Sequence, residues 1–578
     1  WANEGAIEYY LAGTYAMIMP THPHEVPTND MQMHYASDEN YFSGTNGPSK
    51  KVLGLSGEIT LNDVKYIATK YQGTNVGDNR YFDIARCNNA IAYIPTGTLA
   101  PDVKKKFLGQ FYALRAMVYF ELTRLYGGVP LVVEPQNPDD LKLEGRASAK
   151  ACFGQIVSDL DSAMVNLDGV SWDDATGRGK ITTAAAAALK AKALLYWASP
   201  QFNPTDNPTH PYEAQRWETA LQASKEAYDL CRATGRALLP NYNEIFLKEG
   251  IANTEAVIVR SYSATSPKRF TIVERASRPA SEGGSPADYY VPTTLLLGAY
   301  PMQDGTPANS GNTNYDDALF WKNRDPRFKH TIVYNGAEWP LSGTNGRRQW
   351  NYSNAAGESS IKSFYCKKFV NPALSSAAVG IPTDMGGNGM DWIEIRFAEV
   401  ILDYAESANE SGNLSFAKEL VRSIRQRAGI EQGSYDYGLS LASNKEQMRD
   451  LIMNERQIEF AFEGKRYHDL RRTRRMHTLQ GTIQTYLFEA KSEAAKTHLE
   501  SGNAAGILHR ENLDMNNRDT VLTYFKYPYN LRAESSNGAF AFRDYYYFYP
   551  LPNTFMNSSP LLEQTIGYEG GTFDPLND

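Results

Sequence analysis

The first half of the chain places apolar residues at three- and four-residue steps, a spacing that predicts amphipathic helices. One such face consists of Phe107, Phe111, Leu114, Val118, Leu122 and Leu125. The Gly-Gly-Val-Pro sequence at 127–130 ends this helix. The same periodicity returns at 153–167, 184–198 and 217–230. The pattern therefore predicts consecutive helical hairpins that resemble a TPR array, although no constant repeat length relates them.

The pattern changes between Leu238 and Met390, where Gly, Pro, Ser, Asn and Thr dominate and helical periodicity is scarce. Long irregular stretches inside a folded protein are usually functional or mobile. Many aromatic residues lie in this stretch, among them Trp321, Trp339, Trp350, Tyr289, Tyr290, Tyr315 and Tyr352. Aromatic rings on loops are a recurring means of ligand contact, so this stretch is the predicted ligand-binding portion.

Helical periodicity returns after the loop-rich stretch. We expect helices at 393–411 and 445–462, and Ser443 with Glu446 has the spacing of a capping box at the start of the second. Farther along, Phe540-Ala541-Phe542 alternates like a half-buried strand. The predicted fold is mainly α, with TPR-like helical hairpins packed against a large irregular portion that has few short strands.

We predict one compact body for residues 1–578, because the later helices repeat the style of the first ones. Its helical scaffold is expected to cover 81–235 and 393–475, and its loop-rich portion 238–390.

Composition excludes several classes of protein. The formal net charge is -8 at pH 7, and a mildly acidic chain without long basic runs is a poor candidate for binding nucleic acid. No run of 18 or more apolar residues occurs, so no transmembrane helix is predicted. The four cysteines are widely separated, form no C-x-x-C pair and are expected to be buried free thiols: Cys87, Cys152, Cys231 and Cys366.

No sequence motif of a catalytic or cofactor site is present. The chain contains no G-x-S-x-G, no H-E-x-x-H and no Walker loop. His22 and His24 lie between prolines, and we interpret them as part of an irregular surface segment without a metal. Glu455, Glu459 and Glu463 are four residues apart on one predicted helix, an arrangement that favours ion pairs with arginines over a glycosidase pair. We therefore predict no catalytic residue, no metal and no cofactor.

Several segments resemble the SusD/RagB family. They are RFAEVILDYAE at 396–406, IRQRAGI at 424–430, NERQIEFAFEGKRYHDLRR at 454–472, YPLP at 549–552 and QTIGY at 564–568. Earlier pieces agree, such as YGGVPL at 126–131 and RDPRF at 324–328. Each piece alone is weak, but together they span nearly the whole chain in the family's order.

The resemblance implies four TPR-like hairpins against a loop-rich portion, with 520–578 as the C-terminal family segment. It implies a non-catalytic, surface-exposed lipoprotein of the outer membrane, held by an N-terminal lipid anchor that this sequence lacks. Such a protein captures a glycan and delivers it to a SusC-like TonB-dependent transporter. The motif residues themselves are expected to fix helix packing, because their charges lie among apolar helical positions.

Glycan capture requires aromatic rings that stack on the apolar faces of a pyranose and polar groups that meet its hydroxyls. The predicted ligand-binding residues supply both kinds: Trp339, Trp350, Tyr352, Tyr289 and Tyr290, with a second patch of Tyr71, Asn75 and Arg80. Two alternatives remain open. One is peptide binding and import, as in the RagB branch, and the other is a scaffold that acts only through the transporter.

Overall fold

The computed structural model describes the chain except for residues 21–35, 42–47, 69–78, 138, 172–176, 178, 263–271, 285–289, 359–361, 380–388, 534–537 and 578. The α-helices are α1 Glu4–Ile18, α2 Pro48–Val52, α3 Arg80–Tyr93, α4 Pro101–Tyr126, α5 Ala149–Leu167, α6 Thr183–Ala198, α7 Gln215–Ala233, α8 Ile272–Ser277, α9 Thr294–Ala299, α10 Pro326–Thr331, α11 Ser376–Val379, α12 Phe397–Glu410, α13 Leu414–Ala428, α14 Lys445–Glu459, α15 Arg466–Arg472, α16 Glu493–Leu499, α17 Arg518–Tyr524 and α18 Asn553–Met556.

The strands are short and pair only two at a time within the described residues. They are β1 Asn40–Tyr41, β2 Ala256–Arg260, β3 Val291–Pro292, β4 Ile332–Val333, β5 Ala337–Glu338, β6 Arg348–Gln349, β7 Tyr365–Cys366, β8 Trp392–Arg396, β9 Gln484–Leu487, β10 Asn530–Ala533, β11 Gln564–Thr565 and β12 Gly571–Phe573. The pairs are β1 with β3, β2 with β8, β4 with β7, β5 with β6, β9 with β10, and β11 with β12. The prediction of a mainly α fold with few short strands is confirmed.

The helical part stacks consecutive helices against one another. α4 packs against α5, α5 against α6, and α6 against α7, and α12 then joins α7 to α13. The longest of them, α4, begins with Pro101 in its first turn, where a missing N–H costs nothing, and ends at Gly127 with a φ of 77°. Alanines along α6 are buried, and their small side chains allow close contacts with the neighbouring helices.

The loop-rich part has a hydrophobic core of its own. Its buried residues run from Leu239 to Tyr529 and are largely aromatic, including Phe320, Phe364 and Phe488. Rings fill the space between segments that have no regular hydrogen-bonded structure, because large side chains bury much apolar area for each residue that must be ordered. The many aromatic residues of this stretch therefore serve first to hold the loops together.

Three local predictions were wrong. The residues from Ile393 to Arg396 belong to β8, which pairs with β2, and the helix begins only at Phe397. The cap of α14 is Asn444, whose side chain accepts a hydrogen bond from the backbone of Gln447, and not a box formed by Ser443. Phe540 lies in backbone that is not part of a strand. An apolar run of this length does not distinguish a buried strand from a helix start.

A network of buried charges joins the helices. Arg396 contacts Glu255, Glu459 and Glu463 at 2.6, 2.6 and 2.9 Å, and all four side chains are at most 1% exposed. Arg327 contacts Glu459 at 2.8 Å. The glutamates of α14 and the turn after it are thus ion-pair partners, as predicted. Buried charges are tolerated because each one has several partners of opposite sign.

The segment 544–573 packs against the helical part near the end of α4. Tyr549 donates its backbone N–H to the carbonyl of Leu125 at 2.9 Å, and the side-chain amide of Gln201 donates to the carbonyl of Tyr547 at 2.7 Å. Arg146 donates to the Thr565 hydroxyl at 3.0 Å. Leu125, at the end of α4, and Arg146 therefore contact residues more than 400 positions later.

Two further predictions concern the cysteines and the presence of a membrane-spanning helix. The four cysteines are free and buried, as expected. In the part of the chain that the structure describes, no helix has the length and apolar character needed to cross a membrane.

Candidate functional site

The predicted ligand-binding rings that the structure describes are buried. Trp339 and Trp350 are 2% and 3% exposed, and Tyr352 and Tyr290 are 0% and 1% exposed. Trp339 packs against Tyr365, with ring centroids 6.0 Å apart. As placed, none of these rings offers an open face to a sugar, so the expectation that they are displayed on loops needs correction.

Their polar atoms are also engaged inside the protein. The indole N–H of Trp350 donates to Glu511 at 2.9 Å. The hydroxyl of Tyr352 donates to Glu500 at 3.1 Å and accepts from Arg510 at 2.7 Å. These contacts connect the loop-rich part to α16 and the residues after it, which explains why the rings point inward.

The second predicted patch is described only in part. Arg80 is 1% exposed and forms a 2.9 Å ion pair with Asp83 within α3, beneath the ring of Tyr66. Tyr71 and Asn75, like Tyr289 of the first set, lie outside the described residues. The structure therefore does not bring the eight predicted residues together, and their role in binding stays a prediction.

A different group of aromatic residues reaches the surface. We call Tyr315, Tyr486, Tyr527 and Tyr529 the tyrosine cluster. The first three are half-buried, and Tyr529 is buried between Tyr486 and Tyr527, while Tyr315 lies near Tyr486. The ring centroid of Tyr529 is 5.6 Å from that of Tyr486 and 5.7 Å from that of Tyr527. Its hydroxyl donates to the carbonyl of Ala318 at 2.6 Å, which fixes the cluster to the loop-rich core.

The antiparallel pair of β9 and β10 positions two of these rings, since Tyr486 lies in β9 and Tyr529 directly precedes β10. Tyr486 lies directly opposite Leu531, so the two side chains share one face of the strand pair. Leu531 is 53% exposed. Below this face Tyr486 packs on Phe320, with centroids 5.2 Å apart. The result is an apolar surface open to solvent above and rigidly packed below.

Charged groups border the cluster on one side. Arg518, in the first turn of α17, pairs with Asp316 and lies 3.6 Å from Asp317, and its guanidinium is 5.6 Å from the ring centroid of Tyr527. Burial and a hydrogen bond with Asp317 raise the pKa of Tyr527 to about 12. The same hydrogen bond lowers the pKa of Asp317, so this carboxylate stays ionised at neutral pH.

The arrangement suits binding and not acid–base chemistry. Half-buried tyrosines offer flat apolar faces, and the neighbouring carboxylates and guanidinium offer hydrogen-bond partners for hydroxyl groups. A general acid would need a carboxyl group with a raised pKa, which Asp317 is not. Among the described residues, no group of three or more His, Cys, Asp and Glu side chains is placed to hold a metal ion.

Sequence reasoning missed most of this cluster. Tyr315 stood in the loop-rich stretch but was not selected, and Tyr486 and Tyr527 lie outside the predicted ligand-binding portion. The one available signal was the high density of aromatic residues at 524–529, where four of the six residues are Tyr or Phe.

Comparison with known proteins decides the family. A model described as the SusD family matches residues 254–568, more than half of the chain. This chain belongs to the SusD family. A second model, described as starch-binding associating with outer membrane, matches residues 29–195 of this SusD-family protein.

Related sequences agree with this assignment. SusD-like protein P38 of Formosa agariphila is 26% identical over 417 residues, which cover 70% of this SusD-family protein and 73% of the relative. SusD-like protein P25 of the same organism is 22% identical over 382 residues and 64% of each chain.

Solved structures show the SusD-like fold along the whole chain. A SusD-like carbohydrate-binding protein of Bacteroides fragilis has a TM-score of 0.71 and 22% identity, with 97% of this chain and 99% of that chain covered. A laminarin-binding SusD-like protein has a TM-score of 0.61 and 18% identity, with coverage of 98% and 100%. At these identities the likeness establishes the fold alone.

Proposed function

We propose that this SusD-family protein binds an oligo- or polysaccharide at the cell surface without altering it. The tyrosine cluster is the proposed contact surface. The observation that carries the proposal is that the half-buried Tyr486 and Tyr527 flank the buried Tyr529, next to the ion pair of Asp316 and Arg518. Rings held in this way need little reordering when a pyranose stacks on them, which lowers the entropic cost of binding.

Carbohydrate binding also agrees with what related proteins are described as doing. One structural neighbour is described as carbohydrate-binding, another as laminarin-binding, and a third as a surface glycan-binding protein of Bacteroides fluxus. The lowered pKa of Asp317 supports binding over hydrolysis, because an ionised carboxylate does not donate a proton to a glycosidic oxygen.

The second half of the proposal is delivery. We propose that the protein works at the outer membrane and passes its ligand to a SusC-like TonB-dependent transporter. The description of the matching model as associating with outer membrane supports the location. Purification of the membrane-bound protein in mild detergent tests the partner, since a TonB-dependent transporter is expected to copurify in a fixed ratio.

Affinity gel electrophoresis with a panel of polysaccharides tests the binding. Migration is expected to slow in at least one gel, and calorimetry then gives Kd for that glycan. The double variant Tyr486→Ala/Tyr527→Ala removes two platforms and should weaken binding by about 2 kcal/mol, or roughly 30-fold in Kd.

The matched control is Tyr9→Ala/Tyr435→Ala, which removes two tyrosines that are 84% and 44% exposed and lie outside the cluster. Its Kd is expected to equal that of the wild type. If no glycan slows migration while peptides bind in calorimetry, peptide import is the better assignment. If both double variants bind equally well, the tyrosine cluster is not the contact surface.

A further inference from the structure

A cavity of about 380 Å³ lies apart from the tyrosine cluster, between the C-terminal end of α9 and the first half of α14. The turn after α9 and Arg425 of α13 complete its wall, and none of the four clustered tyrosines lines it. Its volume falls near the small end of the range of about 300–1,000 Å³ that ligand pockets occupy.

The walls of the cavity are mostly apolar. Pro301, Pro307, Leu441 and Leu451 supply carbon surface. Leu441 is 42% exposed, which is unusual for a leucine beside a concave surface and leaves its side chain available to a ligand. Apolar walls with a few polar groups are the usual composition of a small-molecule site.

One wall is fixed by a close backbone contact. Gly305 has a φ of +80°, and a Cβ added to it would lie 2.3 Å from the carbonyl oxygen of Tyr437. Gly438, in the facing segment, has a φ of +81° and is equally close to Gly305. Because the two segments meet at their backbones, this side of the cavity is preformed.

Besides Asn309 and Tyr300, the polar side chains that line the cavity are one buried cation and two amides. Arg425 is 2% exposed; its Nε donates to Glu455 at 2.8 Å and its Nη1 to the carbonyl of Tyr437 at 2.6 Å. Among the described residues, its remaining terminal nitrogen, Nη2, makes no hydrogen bond. Asn454 uses only its amide nitrogen, which donates to Ala299 at 3.0 Å, and Gln447 also lines the wall.

The charge around Arg425 is already balanced. Glu455 pairs with Arg425 at 2.8 Å and with Arg327 at 2.7 Å. Arg327 also pairs with Asp325 at 2.8 Å, which leaves the charge of Glu455 to neutralise Arg425, so no excess positive charge remains for an anion. A ligand carboxylate would approach Glu455 and lose its hydration without compensation. A hydroxyl group fits better, because it accepts a hydrogen bond from Nη2 of Arg425 and donates one to the amide oxygen of Asn454.

We propose that this cavity is a binding site for a small neutral polyol of the size of one sugar residue. Hydroxyl groups meet the three polar side chains, and C–H faces pack on the prolines and leucines. The site is independent of the tyrosine cluster and of the function proposed above.

A glycine of α9 permits a direct test. Gly298 lines the cavity, and a Cβ added there meets no atom within 4 Å, so Gly298→Leu adds bulk at the cavity wall with no clash at its Cβ. Gly154 of α5 is a matched control, since it is also helical, also has open space for a Cβ, and lies outside this cavity. The probes are glucose, galactose, mannose and myo-inositol, with glucuronate and acetate as anions.

Saturation-transfer NMR and calorimetry are expected to detect at least one neutral probe and to find it bound at least tenfold more weakly by Gly298→Leu. Gly154→Leu and Tyr486→Ala should bind it as the wild type does, which separates this site from the tyrosine cluster. A crystal soaked in the same probe should show it against Arg425 and Asn454, and this measurement does not depend on any variant. Absence of neutral binding, equal binding of glucuronate, or unchanged binding by Gly298→Leu would each overturn the proposal.

Discussion

The helical part and the loop-rich part of the molecule are held together by different kinds of side chain. In the helical part these are charges, such as Arg396, which contacts three glutamates while 1% exposed. In the loop-rich part they are aromatic rings, such as Trp350, which is 3% exposed and bound to Glu511. In both parts, residue type alone therefore misleads, because a charge or a loop aromatic is functional only where it remains open to a ligand.

The largest expected effect tests the charge network. Arg396→Met removes the partner of three buried carboxylates and should lower the free energy of unfolding by about 5 kcal/mol. Denaturation by urea, followed by circular dichroism, measures the loss. Arg475→Met is the control, because its pair with Asp450 is exposed and should contribute less than about 1 kcal/mol. Equal losses in the two variants would mean that the buried network does not hold the helices.

The next effect tests whether the loop aromatics are structural. Trp339→Ala leaves a void in its small cluster and should cost about 3 kcal/mol of stability, while the folded fraction keeps its affinity for glycan. Thermal denaturation and calorimetry at a temperature where the variant is folded separate the two quantities. Lost affinity for glycan with unchanged stability would instead mean that Trp339 contacts the sugar directly, as expected from the sequence.

A smaller effect sharpens the assignment within the tyrosine cluster. Tyr527→Ala removes a ring and should weaken glycan binding about fivefold, or about 1 kcal/mol. Tyr527→Phe keeps the ring but loses the hydrogen bond to Asp317, and its Kd should change less than about twofold. A larger loss for Tyr527→Phe than for Tyr527→Ala would show that the hydroxyl group, and not the ring face, contacts the ligand.

The smallest expected effect is the pH dependence of stability that His330 of α10 causes. Burial, with Lys329 and Lys367 nearby, lowers the pKa of His330 to about 4. Between this value and the unfolded pKa near 6.5, the unfolded state binds a proton that the folded state does not, so stability falls as pH drops through that window. At pH 5 the cost should be about 1 kcal/mol after allowance for solvent screening.

Melting temperatures at pH 7 and pH 5 measure this effect. His330→Gln should show a smaller fall than the wild type, and the exposed His477→Gln should show the same fall as the wild type. A wild-type fall that His330→Gln leaves unchanged would assign the pH dependence to other groups.

The helices were predictable because the apolar residues of each buried face recur at helical spacing in the sequence of that helix. The apolar steps from Phe107 to Leu125 lie within α4, and Gly127 marks its end. Such signals are local and need no knowledge of the partner element. The glutamates of α14 were also recognisable as ion-pair partners, because a charge on an apolar helix face requires a counter-ion.

The site was not predictable in the same way. Tyr315, Tyr486 and Tyr527 come from three segments up to about 200 residues apart, and only the tertiary fold brings them near one another. Whether a loop aromatic points inward or outward depends on its neighbours in space, which is why the burial of Trp339 and Trp350 was not predictable. The cavity beside Arg425 likewise depends on a contact between Gly305 and Gly438, which no sequence pattern indicates.

The contact of Tyr549 with Leu125 has a consequence for biosynthesis. The turn that follows α4 emerges from the ribosome hundreds of residues before the segment around Tyr549 that contacts it. Until that segment has been made, the surface at the end of α4 on which Phe548 and Tyr549 later pack is open to other chains. The native contacts at the end of α4 therefore form only after the segment around Tyr549 has been made, and a chain that stops before Tyr549 is expected to aggregate.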